Sequence, residues 1–428
     1  STSAFCVLHV DKKGDFVSEL RYTYLDKNIQ ITSPVEGQVP VMASGAVPLV
    51  VNIYSSVTPV KEVTYTCLID GKAIFSNKKL QQATDWCWNA EVPLTAKQEG
   101  KAVTLKLKTR FNNGEVAETE SAFTYHAAPA EVKLAGSRVN LLGNPRHAAT
   151  AQPALNEPLQ MAWIKNVGAN IYMTSPLVYN GRIYVASVDE NLQGEGHVYA
   201  LDGKTGDLVW KYRVRNSIKN TIVIDNGCVL AQDVQGYLYA IDVENGKLSW
   251  EKQLPVNGLP ALIEGLVTAD GVVYAGTGKG LCAIDTKDGR EIWRNKDWGQ
   301  GEGATSTFSI ANNILIASSQ WRGLYGNDLK TGDLKWEATT NGLRNRGASA
   351  AVHGGLLYLI SEKSFFILDV DNGRVVVRKE LPFSVDVTST PLLTDKEIIF
   401  GSVKDGLIAL DNETLEIKWK FGTEDALV

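Results

Sequence analysis

The sequence lacks several features that would assign it to a common functional class. It has no run of basic residues, and its net charge is −5. Phosphate binding needs clustered Lys and Arg side chains, so a nucleic-acid partner or attachment to an anionic membrane is not expected. No stretch approaches the roughly 20 apolar residues of a transmembrane segment. No signal peptide is recognisable, and the chain begins at Ser1, so we expect both chain ends to be trimmed.

Residues that form disulfides and metal sites are sparse and scattered. An odd, irregularly spaced set of cysteines does not make a disulfide framework; the set is Cys6, Cys67, Cys87, Cys228 and Cys282. Cys67 and Cys87 could pair within one small domain, but buried free thiols are the favoured alternative. The histidines include no close pair, so they predict no metal site; they are His9, His126, His147, His197 and His353.

Catalytic motifs are also missing. The sequence contains no Gly-x-Ser-x-Gly motif of a serine hydrolase. Residues 276–280 are glycine-rich, but they lack the following helix and the spacing of a phosphate-binding loop. Residues 369–373, with Glu380, resemble a calcium loop, but the glycine falls one place early and a hairpin turn is favoured. We therefore expect no catalytic residue, no metal and no cofactor in this chain.

The pattern that is present is all-β, with ten Trp, fifteen Tyr and few helical signals. Residues 1–30 predict a β-hairpin, with turn chemistry at 11–15. Residues 31–127 predict an immunoglobulin-like β-sandwich from short, regularly spaced strands. Those strands are predicted at 47–54, 62–69, 86–92, 103–111 and 118–125. A linker is predicted at 127–130.

Residues 131–428 carry a repeat with the form Asp-x-x-x-Gly-x-x-x-Trp. Its most regular copy contains Asp202, Gly206 and Trp210. The aspartates that mark the six copies are Asp202, Asp242, Asp285, Asp328, Asp369 and Asp411. Their separations of 40, 43, 43, 41 and 42 positions, filled only by strand-type segments, predict the blades of a β-propeller.

The residues of the repeat have expected structural roles. The Asp caps a turn with its side-chain oxygens, the Gly adopts a left-handed conformation, and the Trp packs between neighbouring blades. The fifth copy has Val377 in place of Trp, and the sixth has Leu415 in place of Gly. Trp163 supplies one further outer strand, so the sequence predicts six complete repeats and leaves open whether there are seven blades.

The repeated Ala-x-Asp-x-x-Thr-Gly-x-x-x-Trp pattern resembles the quinoprotein-type propeller, also called the PQQ-like repeat. The lead-in Gly143-Asn144-Pro145-Arg146-His147 resembles the start of such domains. The resemblance covers about residues 138–428 and implies a fold rather than a function, because one fold serves many functions. A quinone dehydrogenase of this type is expected to have two adjacent cysteines, a calcium site and a catalytic Asp. No two cysteines are adjacent here, so quinone binding is not expected.

The N-terminal third carries a second resemblance. Residues 5–24 and the sandwich that follows resemble the tail and immunoglobulin-like domain of secreted bacterial calcineurin-like metallophosphoesterases. The metal motifs of that family, Asp-x-His, Gly-Asp-x-x-Asp and Gly-Asn-His-Asp/Glu, do not occur in this sequence. The resemblance therefore implies an accessory region whose catalytic domain is absent from this chain.

The loops that lead into the innermost strand of each predicted blade line one mouth of the central channel. They are rich in charged and aromatic residues of mixed sign, which predicts recognition of a polar ligand, a glycan or a protein. A set of solvated loops without a ligand is the alternative. The candidate recognition residues are Tyr172, Lys219, Glu264, Glu302, Arg346 and Asp386.

The sequence thus favours a non-catalytic binding or scaffold region of a bacterial protein, located in the periplasm or outside the cell. Two alternatives remain open. One is the accessory C-terminal region of a secreted calcineurin-like metallophosphoesterase. The other is a scaffold similar to the propeller lipoprotein of outer-membrane assembly.

Overall fold

The computed structural model describes most of the chain. The described residues are 4–10, 12–14, 16–22, 25–84, 86–129, 132, 134, 136–147, 161–171, 174–188, 195–255, 264–276, 280–295, 306–319, 323–339, 343, 349–361, 363–385, 389–402 and 405–422. Within these ranges the chain is almost entirely β-structure, and its helices are the short 3₁₀ turns Ala96–Gln98 and Leu141–Gly143. No helix in the described part is long and apolar enough to cross a membrane.

The chain forms two compact units. Unit 1 comprises Ser1–Leu134, Leu155–Ala169 and Asp202–Asp207. Unit 2 comprises Ala135–Ala154, Asn170–Leu201 and Leu208–Val428. The domain boundaries expected from the sequence stay predictions.

Unit 1 contains the predicted hairpin and eight further strands. Strands β1 (Ala4–Val10) and β2 (Phe16–Tyr22) pair antiparallel as a separate two-stranded sheet. Two four-stranded antiparallel sheets follow, in the orders β3-β4-β8-β7 and β10-β9-β5-β6. Their strands are β3 (Lys27–Ser33), β4 (Val47–Ser55), β5 (Val60–Ile69), β6 (Lys72–Lys79), β7 (Gln81–Thr84), β8 (Cys87–Val92), β9 (Ala102–Phe111) and β10 (Val116–Thr124).

The two four-stranded sheets enclose one apolar core. Along β9 the side chains of Val103, Leu105 and Leu107 are buried, while their neighbours in sequence face outward. This alternation was expected from the sequence, and it directs these β9 side chains into the same core as Val47, Leu49 and Val51 of β4. Cys67 and Cys87 both lie buried as free thiols, so they do not form a disulfide. The immunoglobulin-like label for this sandwich stays a prediction.

Six four-stranded antiparallel sheets, the blades, make up residues 177–421, and in each the strands pair in sequence order. Blades 1 and 2 are β11 (Leu177–Tyr179), β12 (Arg182–Ala186), β13 (Gly196–Asp202), β14 (Leu208–Val214), then β15 (Val223–Asp225), β16 (Cys228–Gln232), β17 (Tyr237–Asp242), β18 (Leu248–Gln253). Blades 3 and 4 are β19 (Val267–Ala269), β20 (Val272–Gly276), β21 (Leu281–Asp285), β22 (Glu291–Asn295), then β23 (Ser309–Ala311), β24 (Ile314–Ser319), β25 (Gly323–Asp328), β26 (Leu334–Ala338). Blades 5 and 6 are β27 (Ala351–His353), β28 (Leu356–Ser361), β29 (Ser364–Asp369), β30 (Val375–Glu380), then β31 (Leu392–Leu393), β32 (Glu397–Ser402), β33 (Gly406–Asp411), β34 (Ile417–Phe421).

The blades follow one another as in a β-propeller, which confirms the predicted fold class. The first and shortest strand of a blade contacts the first strand of its neighbour, as β11 does with β15 and β27 with β31. Because the strands alternate in direction, the turns after the first and third strands of a blade lie at one end, which we call the turn face. The connection between the second and third strands lies at the other end, the loop face.

The turn of each repeat is capped as the sequence predicts. In blade 1, Asp202 accepts hydrogen bonds at Oδ1 from the backbone N–H groups of Lys204 (2.8 Å) and Thr205 (3.0 Å). Gly206 has a φ of +73°, and its N–H donates to the Asp202 carbonyl. These backbone donors stabilise the ionised carboxylate and hold the pKa of Asp202 below its ordinary value. The same arrangement holds Asp411 in the sixth repeat.

The tryptophan of each repeat joins successive repeats. Its indole Nε1–H donates to a main-chain carbonyl in the turn of the next repeat at 2.9 to 3.1 Å. The pairs are Trp163 with Gly203, Trp210 with Val243, Trp250 with Thr286, Trp293 with Leu329, and Trp336 with Val370. The ring covers the glycine of that turn so closely that an added Cβ would lie 2.4 to 2.9 Å from the nearest indole atom. The glycine is therefore required both by its backbone angle and by the ring.

The series changes at the fifth repeat, which has Val377 in place of Trp. There Lys379 donates through Nζ to the carbonyl of Leu415 at 2.7 Å, and Leu415 keeps the left-handed angle with a φ of +58°. A leucine Cβ is tolerated at this turn because the preceding blade has no indole ring to cover it. The last tryptophan, Trp419, is 37% exposed and donates to Glu397 of its own blade.

Gly246→Ala tests the contact between indole and glycine in blade 2. Gly246 has a φ of +69°, and a Cβ there would lie 2.7 Å from the Trp210 ring. The control is Gly227→Ala in the other turn of the same blade, where φ is +70° and nothing lies within 4 Å of the added Cβ.

Both variants carry left-handed strain of roughly 1 kcal/mol, and Gly246→Ala adds an overpacking cost of about 1 to 3 kcal/mol. Urea unfolding followed by circular dichroism measures the difference. Equal loss of stability in the two variants would show that the ring does not restrict this turn.

Candidate functional site in the central channel

A ring of small polar side chains surrounds the channel in unit 2. The ring lies five residues before the first turn of each blade, and we call it the inner ring. Its members are Ser175, Thr221, Gly265, Thr307, Ser349 and Thr390. Five of the six positions carry a hydroxyl group, although the sequence between them varies.

The hydroxyl groups of the inner ring bond to one another and to neighbouring main chain. Thr221 Oγ1 and Thr307 Oγ1 lie 3.0 Å apart. The N–H of Thr307 donates to Ser349 Oγ at 3.0 Å, and the N–H of Ser349 donates to Thr390 Oγ1 at 2.9 Å. Thr221, Thr307 and Ser349 are all buried. The inner ring therefore satisfies buried polar groups of blades 2, 4, 5 and 6 with one another.

Blade 3 contributes a glycine to the inner ring for a steric reason. A Cβ on Gly265 would lie 2.3 Å from the hydroxyl oxygens of both Thr221 and Thr307. Without a side chain there, the hydroxyls of blades 2 and 4 meet across blade 3. Gly265 is therefore needed for the hydrogen bond between Thr221 and Thr307.

A second element bonds to the first strands of the blades nearer the turn face. Residues 138–147, which we call the central segment, bond to the first strand of five consecutive blades. In every blade the contact is made to the residue two positions before the turn. Those residues are Val178, Ile224, Thr268, Ile310 and Val352.

The contacts of the central segment follow the order of the blades. Arg138 exchanges two main-chain hydrogen bonds with Val178, at 2.7 and 3.0 Å. The carbonyls of Val139, Pro145 and Arg146 accept from the N–H groups of blades 2, 4 and 5 at 2.8 to 2.9 Å. These N–H groups belong to the first strands of the propeller blades, where a buried donor without a partner is costly.

Asn140 makes the contact with blade 3 through its side chain. Its Oδ1 accepts from the Thr268 N–H at 2.9 Å, and its Nδ2 donates to the Thr268 carbonyl at 3.2 Å. The carboxamide thus replaces one residue of a neighbouring strand. Asn140 is 2% exposed, so water does not supply these bonds if the side chain is removed.

His147 ends the central segment in a fully buried position. It has a φ of +52°, and its Nδ1 lies 3.1 Å from Ser309 Oγ. The Ser309 hydroxyl donates to the Ala350 carbonyl, so it accepts from a protonated Nδ1. Burial lowers the pKa of His147 to about 4, so the ring is neutral at pH 7.

Two buried polar side chains lie near the inner ring in blades 2 and 3. Glu264 is 1% exposed, and a Cβ on Gly276 would lie 1.8 Å from its Oε2. Gln232 donates through Nε2 to the Gly276 carbonyl at 3.0 Å. Gly276 therefore leaves room for a carboxylate that packs against its main chain.

The structure describes two of the six predicted recognition residues. Lys219 is half-buried beside the inner ring, and Glu264 is buried inside the protein. The remaining four, Tyr172, Glu302, Arg346 and Asp386, lie outside the described residues. The central segment was not identified from the sequence as a channel component. Its only sequence signal is the Gly143-Asn144-Pro145-Arg146-His147 lead-in.

The described residues do not include the donor set expected of a quinone dehydrogenase or a metal centre. Within the described part of the chain, no three His, Cys, Asp or Glu residues converge in a way that could hold a metal ion. Among the described residues, the inner ring and the central segment bond to the first strands of the blades. Cys67, Cys87, Cys228 and Cys282 are single buried thiols, so they do not supply the adjacent pair expected of a quinone dehydrogenase. These residues do not fit that cofactor.

The repeat region matches a known family. The family model described as outer membrane protein assembly factor BamB matches residues 159–376 and, a second time, residues 328–427. The chain belongs to this family. The match spans the blades and confirms the predicted PQQ-like propeller repeat.

Individual relatives are distant. BamB of Moranella endobia is 27% identical over 234 residues, which are 51% of this chain and 57% of that protein. The tetrathionate hydrolase of Acidithiobacillus ferrooxidans is 23% identical over 267 residues, 57% of this chain and 52% of that protein. The chain thus spans about half the length of the curated relatives it matches.

Solved structures resemble the chain only loosely. The crystal structure of BamB from Moraxella catarrhalis covers 89% of this chain and 99% of that chain, with 14% identity and a TM-score of 0.44. A europium-containing methanol dehydrogenase covers 81% and 79%, with 13% identity and a TM-score of 0.49. Similarity at this level carries no information on function.

Asn140→Ala tests the role of the central segment. The change leaves the buried N–H and carbonyl of Thr268 without their partners, and we expect a loss of about 2 to 4 kcal/mol in the free energy of unfolding. Arg138→Ala is the control, because Arg138 bonds to Val178 through its main chain and its side chain is exposed. Urea unfolding compares the two. An equally large loss of stability for Arg138→Ala would contradict the role given to the Asn140 side chain.

His147 makes stability depend on pH. Its pKa is about 4 in the folded chain and 6.5 in the unfolded chain, so below pH 6.5 the unfolded state binds the extra proton. Stability therefore falls as the pH drops from 6.5 to 4, by about 3 kcal/mol in total. His147→Asn keeps a residue that tolerates a positive φ but removes the titration. The free energies of unfolding of the two proteins, measured across this range, should converge as the pH falls. Parallel curves would show that His147 is not the titrating group.

Proposed function

We propose that this chain is a non-catalytic scaffold of an extracytoplasmic protein, which binds a partner protein through the loop face of its propeller. The proposal keeps the recognition role predicted for the loops. It gives the turn face and the channel a structural role.

One observation carries the proposal: the central segment bonds to five blades at equivalent residues. Together with the inner ring, it engages polar groups of the first strands in hydrogen bonds within the protein. The Asp, Gly and Trp of the repeat are all engaged in turns and in contacts between blades. The repeat motif lies at the turn face and is already engaged. Residues free to recognise a partner are therefore left at the loop face.

Membership of the family supports the same function. The family is described as an outer membrane protein assembly factor, a description that names other proteins as what is assembled. We extend to this chain both a protein partner and a location in the periplasm or at the outer membrane. The accessory role beside a calcineurin-like phosphoesterase stays a prediction.

Photo-crosslinking tests whether the loop face binds a protein. Benzoylphenylalanine replaces Gln235, an exposed residue between the second and third strands of blade 2. The control replaces Lys287, an exposed residue of the turn face in blade 3. We expect the Gln235 variant to form one discrete adduct with an envelope protein of the host, competed by a soluble copy of that protein. The Lys287 variant should form none.

The same preparations are assayed for turnover. Tetrathionate is included because one relative is a tetrathionate hydrolase, and a phosphodiester and an alcohol cover the two other enzyme classes. Turnover of any of these by the purified chain would overturn the non-catalytic function. Equal crosslinking from both faces would overturn the assignment to the loop face.

A further inference from the structure

Unit 1 contains a large cavity that the proposed loop-face function does not use. Its volume is about 1020 Å³, at the upper end of the roughly 300–1,000 Å³ typical of small-molecule sites. All of its lining residues belong to unit 1, in the ranges 40–50, 65–93, 129, 162–166 and 204–207. The space is therefore large enough for a short stretch of polypeptide.

The floor of the cavity is apolar. Val41 and Leu49 are buried residues of the sandwich core, and Tyr65 and Phe75 extend the same surface. Trp163 forms another part of the wall, held by the bond from its indole N–H to the Gly203 carbonyl at 3.1 Å. An apolar side chain inserted here would leave water and contact fixed aromatic and aliphatic groups.

The lining carries an excess of positive charge. Four lysines line the cavity against two acidic residues, Glu91 and Asp207; the lysines are Lys78, Lys79, Lys165 and Lys204. Lys79 pairs with Glu62 at 2.6 Å. In the part of the chain that the structure describes, the ammonium groups of the other three lysines form no ion pair. Asp207 already accepts a hydrogen bond from Thr205 at 2.8 Å. The cavity thus offers lysines without a salt-bridge partner in the described residues, and of these Lys204 also acts at longer range on the Asp202 carboxylate.

Two edge strands adjoin the cavity. Phe75 and Lys78 belong to β6 and Gln81 to β7, and each of these strands is the last in its sheet. Edge strands bind extended polypeptide through main-chain hydrogen bonds, with alternate side chains directed into pockets. This favours a peptide over a polyanionic sugar or polyphosphate, neither of which would use the apolar floor.

We propose that the unit 1 cavity binds an extended acidic segment of a partner protein, with an apolar side chain against Trp163 and Phe75 and carboxylates at Lys78, Lys165 and Lys204. The assignment rests on the proposed protein-binding function and adds a second contact to the loop face. The partner segment combines acidic and apolar residues, because the lining combines buried apolar groups with exposed lysines. Binding weakens with salt, since exposed charge pairs are screened.

The probe is a short fluorescein-labelled peptide in which aspartates alternate with leucines, and binding to the full chain is measured by fluorescence anisotropy at low salt. The test variant is Lys165→Glu with Lys204→Glu. The control is Lys97→Glu, which reverses an equally exposed lysine of unit 1 outside the cavity. We expect the double variant to bind about tenfold more weakly or worse, and the control to bind unchanged. Circular dichroism checks that all three proteins are folded.

Two comparison ligands identify the occupant. We expect a peptide with asparagine in place of aspartate to bind more weakly, because it has no carboxylates. We also expect polyphosphate to bind more weakly than the acidic peptide, because it has no apolar side chains. No binding of the acidic peptide, or equal binding to the double variant, would overturn the proposal. Tighter binding of polyphosphate than of the peptide would also overturn it and would make the cavity a polyanion site.

The crosslinking assay separates this proposal from the proposed function. If the loop-face adduct forms and the double variant forms it equally well, the scaffold function stands and the cavity has no part in that partner. If the peptide binds and no adduct forms, the cavity is a binding site and the loop-face function is wrong.

Discussion

The hydrogen bond from the indole N–H of one repeat to the turn of the next repeat determines how the blades pack. It fixes three things together: the position of the tryptophan ring, the left-handed angle of the glycine and the distance between neighbouring sheets. An aromatic ring that also donates a hydrogen bond suits this role, because its large apolar surface is buried while its polar atom finds a partner. Where Val377 replaces the ring, Lys379 takes over the carbonyl bond, and Leu415 then fits at the glycine position.

In the centre of the propeller, buried backbone groups need hydrogen-bond partners. The first strand of each blade has an inner edge that no sheet partner covers, and its donors are buried. The inner ring satisfies part of this edge with hydroxyl groups, and the central segment satisfies another part with its main chain and with Asn140. The inner ring and the central segment use these polar groups in hydrogen bonds within the protein. For this reason we propose recognition at the loop face and in unit 1.

The blades could be predicted from the sequence because their signals are local and periodic. A tryptophan eight residues after an aspartate, with a glycine between them, specifies a turn and its packing partner within one copy. The sandwich strands around Val103 and Leu105 were predicted for a similar reason, since their alternation is visible within a few residues. Strand β6 was missed because its lysine-rich sequence is exposed almost throughout and does not alternate in this way. Strand β3 does alternate, with Ile29 and Ile31 against the core, but it crosses the predicted boundary between hairpin and sandwich.

The candidate site was less predictable because it depends on contacts between distant residues. Asn140 lies 128 positions from Thr268, and no local pattern distinguishes it from an ordinary linker asparagine. Glu264 was predicted at a channel mouth from its place before a strand, but the identity of Gly276 decides that it is buried. Such roles follow from which residues meet in space and not from composition or spacing.

The central segment has a consequence for the order in which the propeller forms. Residues 138–147 precede all six blades in the chain, yet their partners extend as far as Val352. During synthesis the segment emerges first, and its carbonyls have no strands to bond until the blades follow. Each new blade can then dock onto a template that already holds its predecessors. Contacts of such long sequence separation close large loops, so folding of this domain is slow compared with that of a single blade. A segment that looks like a linker thus holds the first strands of five blades by hydrogen bonds.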